Sequence, residues 1–125
     1  MRPNTVRVLC VDSMEGRRRR LVASLEQIGL EVWTARNVAD AFFLVEGLRP
    51  SAMVIDQDST LHYAMEWNEL VEASPNLPVL LHSANAAVGS DSHAAVRTGN
   101  PEVITAILSI LLGPDVERGT MSKVA

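Results

Sequence analysis

Short apolar runs alternate along the chain with longer segments of helical periodicity. The run VRVLCV at positions 6–11 is typical of a central strand that is buried on both faces. Positions 14–28 then carry Leu21, Leu25 and Ile28 at helical spacing, and Gly29 follows as a helix-ending residue. Repeated along the chain, this pattern predicts strands at 6–11, 30–35, 51–56, 77–83 and 93–97, and helices at 14–28, 38–48, 61–73 and 102–112.

Residues that typically begin or end helices support the predicted helix boundaries. Asn37 precedes the second helix as a candidate N-cap, and Pro50 closes that helix. Asn100 is a candidate cap for the last helix, and Pro101 stands in its first turn, where proline is favoured. The alternation predicts an α/β domain over residues 1–112, with helices on both faces of a parallel sheet. Residues 113–125 are expected to form a flexible tail or the start of a linker.

Composition narrows the class of protein. The 125 residues fit one domain, and 47% hydrophobic with 21% charged residues is ordinary globular usage. A net charge of −4 argues against nucleic-acid binding through bulk positive charge. The single cysteine, Cys10, excludes an internal disulfide. No apolar run approaches the roughly 20 residues of a membrane span, and the first residues lack a signal peptide's apolar stretch. We expect a cytoplasmic domain without a membrane partner.

Functional groups of an open parallel sheet collect where its strands end, at their carboxyl side. There the first strand is followed by Asp12-Ser13, the third ends in Asp56-Gln57-Asp58, the fourth ends at Ser83, and the fifth ends at Arg97. Carboxylates, a hydroxyl and a guanidinium are therefore expected at one edge. Such a set can hold a hard cation such as Mg²⁺ and share the charge of a phosphoryl group.

Four segments in this order resemble the receiver domain of bacterial response regulators, over residues 5–112. They are VLCVDS at the first strand, PSAMVID at the third, LPVLLHSA at the fourth and VRTGNPE at the fifth. The resemblance implies a flavodoxin-like, doubly wound, five-stranded parallel sheet of order 2-1-3-4-5. It also implies a phosphoacceptor domain of a two-component signalling system.

The resemblance assigns roles to individual residues. Asp56 takes the phosphoacceptor position, and Asp12, Asp56 and the backbone carbonyl of Asp58 would hold Mg²⁺. Ser83 and Arg97 would contact the phosphate. The implied partner is a sensor histidine kinase or phosphotransfer protein. The domain would assist its own phosphorylation without being an enzyme that acts on an outside substrate.

Departures from the family pattern support a second hypothesis. Ser13 stands where a second acidic residue is expected, which predicts weak Mg²⁺ binding, with the Asp58 carboxylate partly restoring the charge. Arg97 replaces a lysine, Thr98 replaces a proline, and the aromatic residue of the fifth strand is missing. The alternative is a degenerate receiver that acts as a phosphorylation-independent interaction module. An unrelated flavodoxin-like binder is a third possibility.

Several candidate residues also have plain structural interpretations. Asp56 could simply cap the helix that follows it, and the run Arg17 to Arg20 could form a solvated helix face. His62 and His82 share no metal-ligand spacing and are interpreted as structural. Four aromatic residues stand at positions consistent with core packing: Trp33, Phe42, Phe43 and Trp67.

Only nine residues, 84–92, separate Ser83 from His93. A full crossover between parallel strands needs a dozen or more, so the fourth helix should be shortened. A shortened helix would expose apolar side chains of the fourth strand, such as Val79 or Leu81. We therefore predict that the region of the fourth and fifth strands forms a homodimer or docks an output partner.

Overall fold

A computed structural model of the chain describes residues 6–83, 94–96 and 100–112. Its strands are β1 (Arg7–Val11), β2 (Glu31–Ala35), β3 (Ala52–Asp56), β4 (Val79–His82) and β5 (Ala94–Val96). Its helices are α1 (Glu15–Gln27), α2 (Val38–Leu48), α3 (Gln57–His62), α4 (Ala64–Ala73) and α5 (Pro101–Leu112). Strands and helices alternate from β1 to β4, except that two helices follow β3.

The sheet is parallel, and its strands β2, β1, β3 and β4 lie side by side in that order. This confirms the α/β class and the predicted order of these four strands. The backbone of Ala94–Val96 pairs in parallel with β4. The predicted shortening of the fourth helix falls on residues 84–93, outside the described residues.

Two apolar layers enclose the sheet. One joins β1 and β3 to α1 and α5, with Leu21, Leu25 and Leu108 fully buried. The other joins the opposite face of the same strands to α2 and α4, with Val38 and Leu70 fully buried. A parallel sheet covered on both faces explains why β3 is buried along its whole length.

The α4 helix corrects the prediction for β4. Val79 and Leu81, expected to be exposed, are 6% and 4% exposed. Both pack in the layer that contains Leu70 of α4. Because α4 covers this face, the described part of β4 offers no apolar surface from these two side chains.

The segment after β3 also differs from the prediction. The sequence predicts one helix over 61–73, whereas the chain forms two helices, α3 and α4. They are separated at Tyr63, whose φ and ψ are −121° and 49°. The α3 helix starts directly at the end of β3 because Asp56 serves as its N-cap. Asp56 therefore belongs to a strand and a helix cap at once.

Two of the four aromatic residues do not pack in the core. Phe43 is 83% exposed, since it lies on the face of α2 opposite the buried Val38 and Ala41. Trp33 is 45% exposed because β2 is an edge strand. Phe42 and Trp67 pack against the layer of α2 and α4, as predicted.

Candidate functional site

The ends of β1, β3 and β4 bring three titratable side chains to one edge of the sheet. Val11 is in register with Ile55, so the next residues, Asp12 and Asp56, are neighbours. Asp56 is in register with His82 on β4. All three side chains are buried. The edge therefore gathers two carboxylates and an imidazole away from water.

Asp12 is fully buried and its carboxylate is enclosed by donors from α1 and the preceding turn. Arg17 donates from Nε to Oδ2 at 2.5 Å and from Nη2 to Oδ1 at 2.9 Å. The backbone N–H of Met14 donates to Oδ1 at 2.9 Å. Arg18 Nη1 donates to the Asp12 carbonyl at 2.8 Å. A two-point guanidinium–carboxylate pair is among the strongest polar contacts in proteins.

Arg17 also reaches Asp56, with Nη2 lying 3.6 Å from Oδ2. The hydrogen bond to Asp12, together with the charges of Asp12, Asp56 and Asp58, raises the pKa of Arg17 despite the opposing effect of burial. The guanidinium thus stands between two carboxylates of the edge as a fixed cation.

The prediction that Arg17 belongs to a solvated helix face is therefore wrong. The α1 helix begins at Glu15, three residues after Asp12, so its first turn lies above the strand ends. Arg17, Leu21 and Leu25 recur every fourth residue, which places Arg17 on the buried stripe of the helix. That i, i+4, i+8 pattern is the sequence signal that would have identified it. Arg19 and Arg20 are exposed, which confirms the prediction of a solvated face for these two residues.

The carboxylate of Asp56 is the N-cap of α3. Ser59 donates from its backbone N to Oδ2 at 3.2 Å and from Oγ to Oδ1 at 2.5 Å. Burial raises the pKa of Asp56, while the Ser59 hydrogen bonds and Arg17 act in the opposite direction. The contacts of Asp56 are thus those of a helix N-cap, as its structural interpretation predicts.

The remaining predicted site residues are placed to different degrees. Asp58 is exposed within α3, and its backbone carbonyl lies 3.0 Å from Nδ1 of His62. Ser83 is half-buried and directly follows β4. Arg97 lies outside the described residues. Asp12 and Asp56 are thus brought together, whereas the Asp58 side chain is directed to solvent.

His82 is buried at this edge, consistent with its structural interpretation. Its Nε2 lies 4.0 Å from Oδ2 of Asp12 and has no hydrogen-bond partner within the described part of the chain. Burial lowers the pKa of His82 to about 4, although Asp12 acts against this shift. The imidazole is consequently neutral near pH 7 and leaves Arg17 as the cation facing the two acids.

The donor set does not fit a bound Mg²⁺. Both oxygens of Asp12 accept from Arg17, both oxygens of Asp56 accept from Ser59, and Ser13 contributes no carboxylate. Across residues 6–83, 94–96 and 100–112, no cluster of three His, Cys, Asp or Glu side chains is placed to hold a metal ion. A divalent cation needs several free oxygen ligands, and a guanidinium already stands at their centre.

Comparison with solved structures identifies the fold. The chemotaxis response regulator CheY4 of Vibrio cholerae is similar with a TM-score of 0.71 and 21% identity, over 86% of this chain and 98% of that one. The signal receiver domain of the putative response regulator NarL of Mycobacterium tuberculosis gives 0.67 and 22%, over 89% and 99%. A CheY-like receiver domain protein of Methanospirillum hungatei JF-1 gives 0.70 and 16%, over 91% and 98%. The predicted resemblance to receiver domains is confirmed.

Family comparison covers most of the same residues. No curated protein matches the chain. In the described ranges, every helix is too short or too polar to cross a lipid bilayer. A family model described as "Flagellar regulatory protein FleQ" matches residues 7–109, which spans all five strands and most of α5. The chain therefore belongs to the FleQ family of flagellar regulatory proteins, and it has the fold of a response regulator receiver domain.

Proposed function

We propose that this domain is a receiver-fold interaction module whose binding does not require phosphorylation of Asp56. The observation that carries the proposal is the position of Arg17, which pairs with Asp12 at two points and lies 3.6 Å from Asp56. The cation that neutralises the acidic edge is thereby a side chain of the protein.

Charge balance supports this interpretation. Two buried carboxylates repel each other and are costly to keep ionised without a counter-ion. Arg17 supplies that counter-ion permanently, because a guanidinium does not lose its proton in proteins. For Mg²⁺ to enter, Arg17 would have to leave Asp12, and only two carboxylates would then face the metal. Displacement of Arg17 is therefore unfavourable.

Phosphorylation of Asp56 is the second candidate function. Asp56 stands at the end of β3, Ser83 directly follows β4, and both match the receiver pattern. In this alternative, a histidine kinase or phosphotransfer protein donates the phosphoryl group to a carboxylate oxygen of Asp56. Mg²⁺ near Asp12 would assist, and Ser83 and Arg97 would contact the phosphate. The domain would then promote its own phosphorylation and have no outside substrate.

Other features of the function remain predictions under either candidate. The family description places the module in flagellar regulation, and a cytoplasmic location agrees with that process. The complete order 2-1-3-4-5 and the shortened fourth helix belong to the same proposal. A homodimer or output partner at the fourth and fifth strands also belongs to it, although Val79 and Leu81 are buried and do not contribute to that surface.

Incubation with acetyl phosphate and Mg²⁺, followed by intact mass, tests the proposal. We expect no phosphoryl adduct on the wild type, under conditions in which a phosphorylatable receiver used as a positive control is labelled. An adduct that persists in Asp58→Asn and disappears in Asp56→Asn would establish the second candidate. Asp58→Asn is the matched control, since it removes a nearby carboxylate that is exposed and not part of the buried pair.

A further inference from the structure

The outer side of β2 is a different edge of the sheet from the one that holds Asp12 and Asp56, because β2 is the first strand in the order of the sheet. Glu31 donates its N–H to the Val6 carbonyl, and the Ala35 carbonyl accepts from the N–H of Asp12. Because the N–H and C=O of one strand residue point to the same side, the backbone groups of Val32 and Thr34 point away from β1. No described strand pairs with this edge. Val32 and Thr34 therefore present free backbone donors and acceptors.

The face of β2 that lies toward α2 carries the exposed ring of Trp33 beside Glu31, whose carboxylate pairs with Arg7. Trp33 is in register with Leu9, which packs in the layer of α2 and α4, so both side chains lie on that face. The indole N–H of Trp33 donates to Glu31 Oε2 at 2.8 Å, which holds the ring beside the strand. Phe43 on α2 adds a second exposed aromatic ring. Exposed aromatic side chains beside an open strand edge are typical of an interaction site.

Basic side chains lie at the end of the same strand. A recess of about 590 Å³ is lined there by Arg18, Thr34, Arg36 and Phe43, together with Asp40. Arg18 is held in place by its hydrogen bond to the Asp12 carbonyl, and Arg36 is exposed. Two guanidinium groups against one carboxylate make this recess positive on a chain whose net charge is −4.

We propose that this edge docks an extended acidic peptide of a partner protein, which adds to the sheet as a strand beside β2. Its backbone pairs with Val32 and Thr34, as in other complexes formed by strand addition. Since side chains alternate between the faces of a strand, acidic residues reach Arg18 and Arg36 while apolar ones contact Trp33 and Phe43. The unpaired backbone groups of Val32 and Thr34 favour a peptide over a nucleic acid, because only a peptide backbone can pair with them as a strand.

This inference rests on the proposed function, because a module without a phosphoryl switch acts through a permanent binding surface. Its surface is also distinct from the predicted one at the fourth and fifth strands, since β2 and β4 lie on opposite sides of β1 and β3.

A fluorescein-labelled synthetic peptide of alternating Glu and Val, blocked at both ends, is the probe. We expect saturable binding to the full chain by fluorescence anisotropy. Phe43→Ala and Arg36→Glu should each weaken it about tenfold, as for an anchor residue and a charge contact. Ile110→Ala and Arg20→Glu are matched controls, since both residues are exposed and lie outside the recess. Both controls should bind like the wild type.

Amide hydrogen exchange locates the contact. The Val32 and Thr34 amides should become protected when the peptide binds. Each of four outcomes would overturn the proposal. They are no binding of the peptide, equal binding of a Lys–Val peptide, preferential binding of a single-stranded oligonucleotide, and protection confined to β5 and α5. The outcome is separable from the phosphorylation test. A labelled wild type that still binds the peptide at β2 overturns only the proposed function, whereas an unlabelled one that does not bind overturns only the docking surface.

Discussion

The guanidinium of Arg17 and the carboxylate of Asp12 form a two-point ion pair, with Nε–Oδ2 at 2.5 Å and Nη2–Oδ1 at 2.9 Å. Asp12 is completely buried, and the Arg17 side chain is 22% exposed. The pair therefore links the end of β1 to the first turn of α1 in a largely dry environment. It places a guanidinium beside the carboxylate oxygens that a metal ion would need.

Removing the guanidinium should be costly. Arg17→Ala leaves Asp12 and Asp56 buried without their counter-ion, and we expect a loss of about 1–3 kcal/mol in the free energy of unfolding. This is below the full value of a buried pair, since Arg17 is partly exposed. Urea denaturation measures it. The control, Arg19→Ala, breaks an exposed pair with Glu15 and should cost less than about 0.5 kcal/mol. Equal stability of the two variants would show that the Arg17 pair contributes nothing special.

His82 should make the fold sensitive to acid. The pKa of His82 is about 4 in the folded chain and 6.5 in the unfolded chain. Between these two pH values, the unfolded chain therefore binds a proton that the folded chain does not bind. Stability therefore falls as pH decreases from about 6.5 to about 4, by at most about 3 kcal/mol. The raised pKa of Asp56 acts in the opposite sense, because protonation below its folded pKa favours the folded chain. His82→Leu should reduce the net loss in denaturation curves taken across this range. The exposed His62, replaced by Leu, should leave it unchanged.

Cys10 should be chemically inert in the folded chain. Burial, followed by the charge of Asp12, raises the pKa of its thiol to about 12, and the side chain is completely buried. Since the thiolate is the reactive form, we expect no reaction with a disulfide reagent at pH 8 until denaturant is added. Rapid modification in native buffer, measured by absorbance of the released thiol, would show that β1 is accessible.

The end of α2 offers a stabilising substitution. Arg49 has φ 51° and ψ 64°, the left-handed conformation that glycine adopts without a steric penalty. Arg49→Gly should raise the free energy of unfolding by about 0.5–1 kcal/mol, since the gain exceeds the added entropy of the unfolded chain. Arg36→Gly, at an exposed position without positive φ, is the control and should not stabilise. A loss of stability in Arg49→Gly would mean that its side chain contributes more than its backbone costs.

Periodicity is sufficient to predict the strands β1 to β4 and most helices, because buried strands and amphipathic helices repeat with different periods. The α2 helix has its predicted bounds, with Asn37 accepting from the N–H of Asp40 as its cap. The prediction failed after β3. The segment 57–62 has no long apolar stripe, and its helix depends on the Asp56 cap rather than on amphipathic spacing. Exposure of Phe43 and burial of Val79 depended on which helix covers which face, which composition does not determine.

The acidic edge was predicted in part. Strand ends identify Asp12 and Asp56 because parallel strands finish at one side of the sheet. The prediction does not identify Arg17, because a run of four arginines is typical of a solvated helix face. Only the stripe shared with Leu21 distinguishes Arg17 from its neighbours. The enclosure of Asp12 and Asp56 depends on helices that start within four residues of the strand ends, and sequence patterns locate such starts poorly.

The most direct test of the claim that Arg17 replaces a metal is a Mg²⁺ titration followed by NMR of the Arg17 side-chain Nε–H. The wild type should show no change of this resonance at millimolar Mg²⁺, because the guanidinium stays on Asp12. The double variant with Arg17→Ala and Ser13→Asp should bind Mg²⁺, detected by backbone shifts around residues 11–13 and 56, since three carboxylates then face an open position. Saturable Mg²⁺ binding by the wild type, with displacement of the Arg17 signal, would show that Arg17 does not replace the metal.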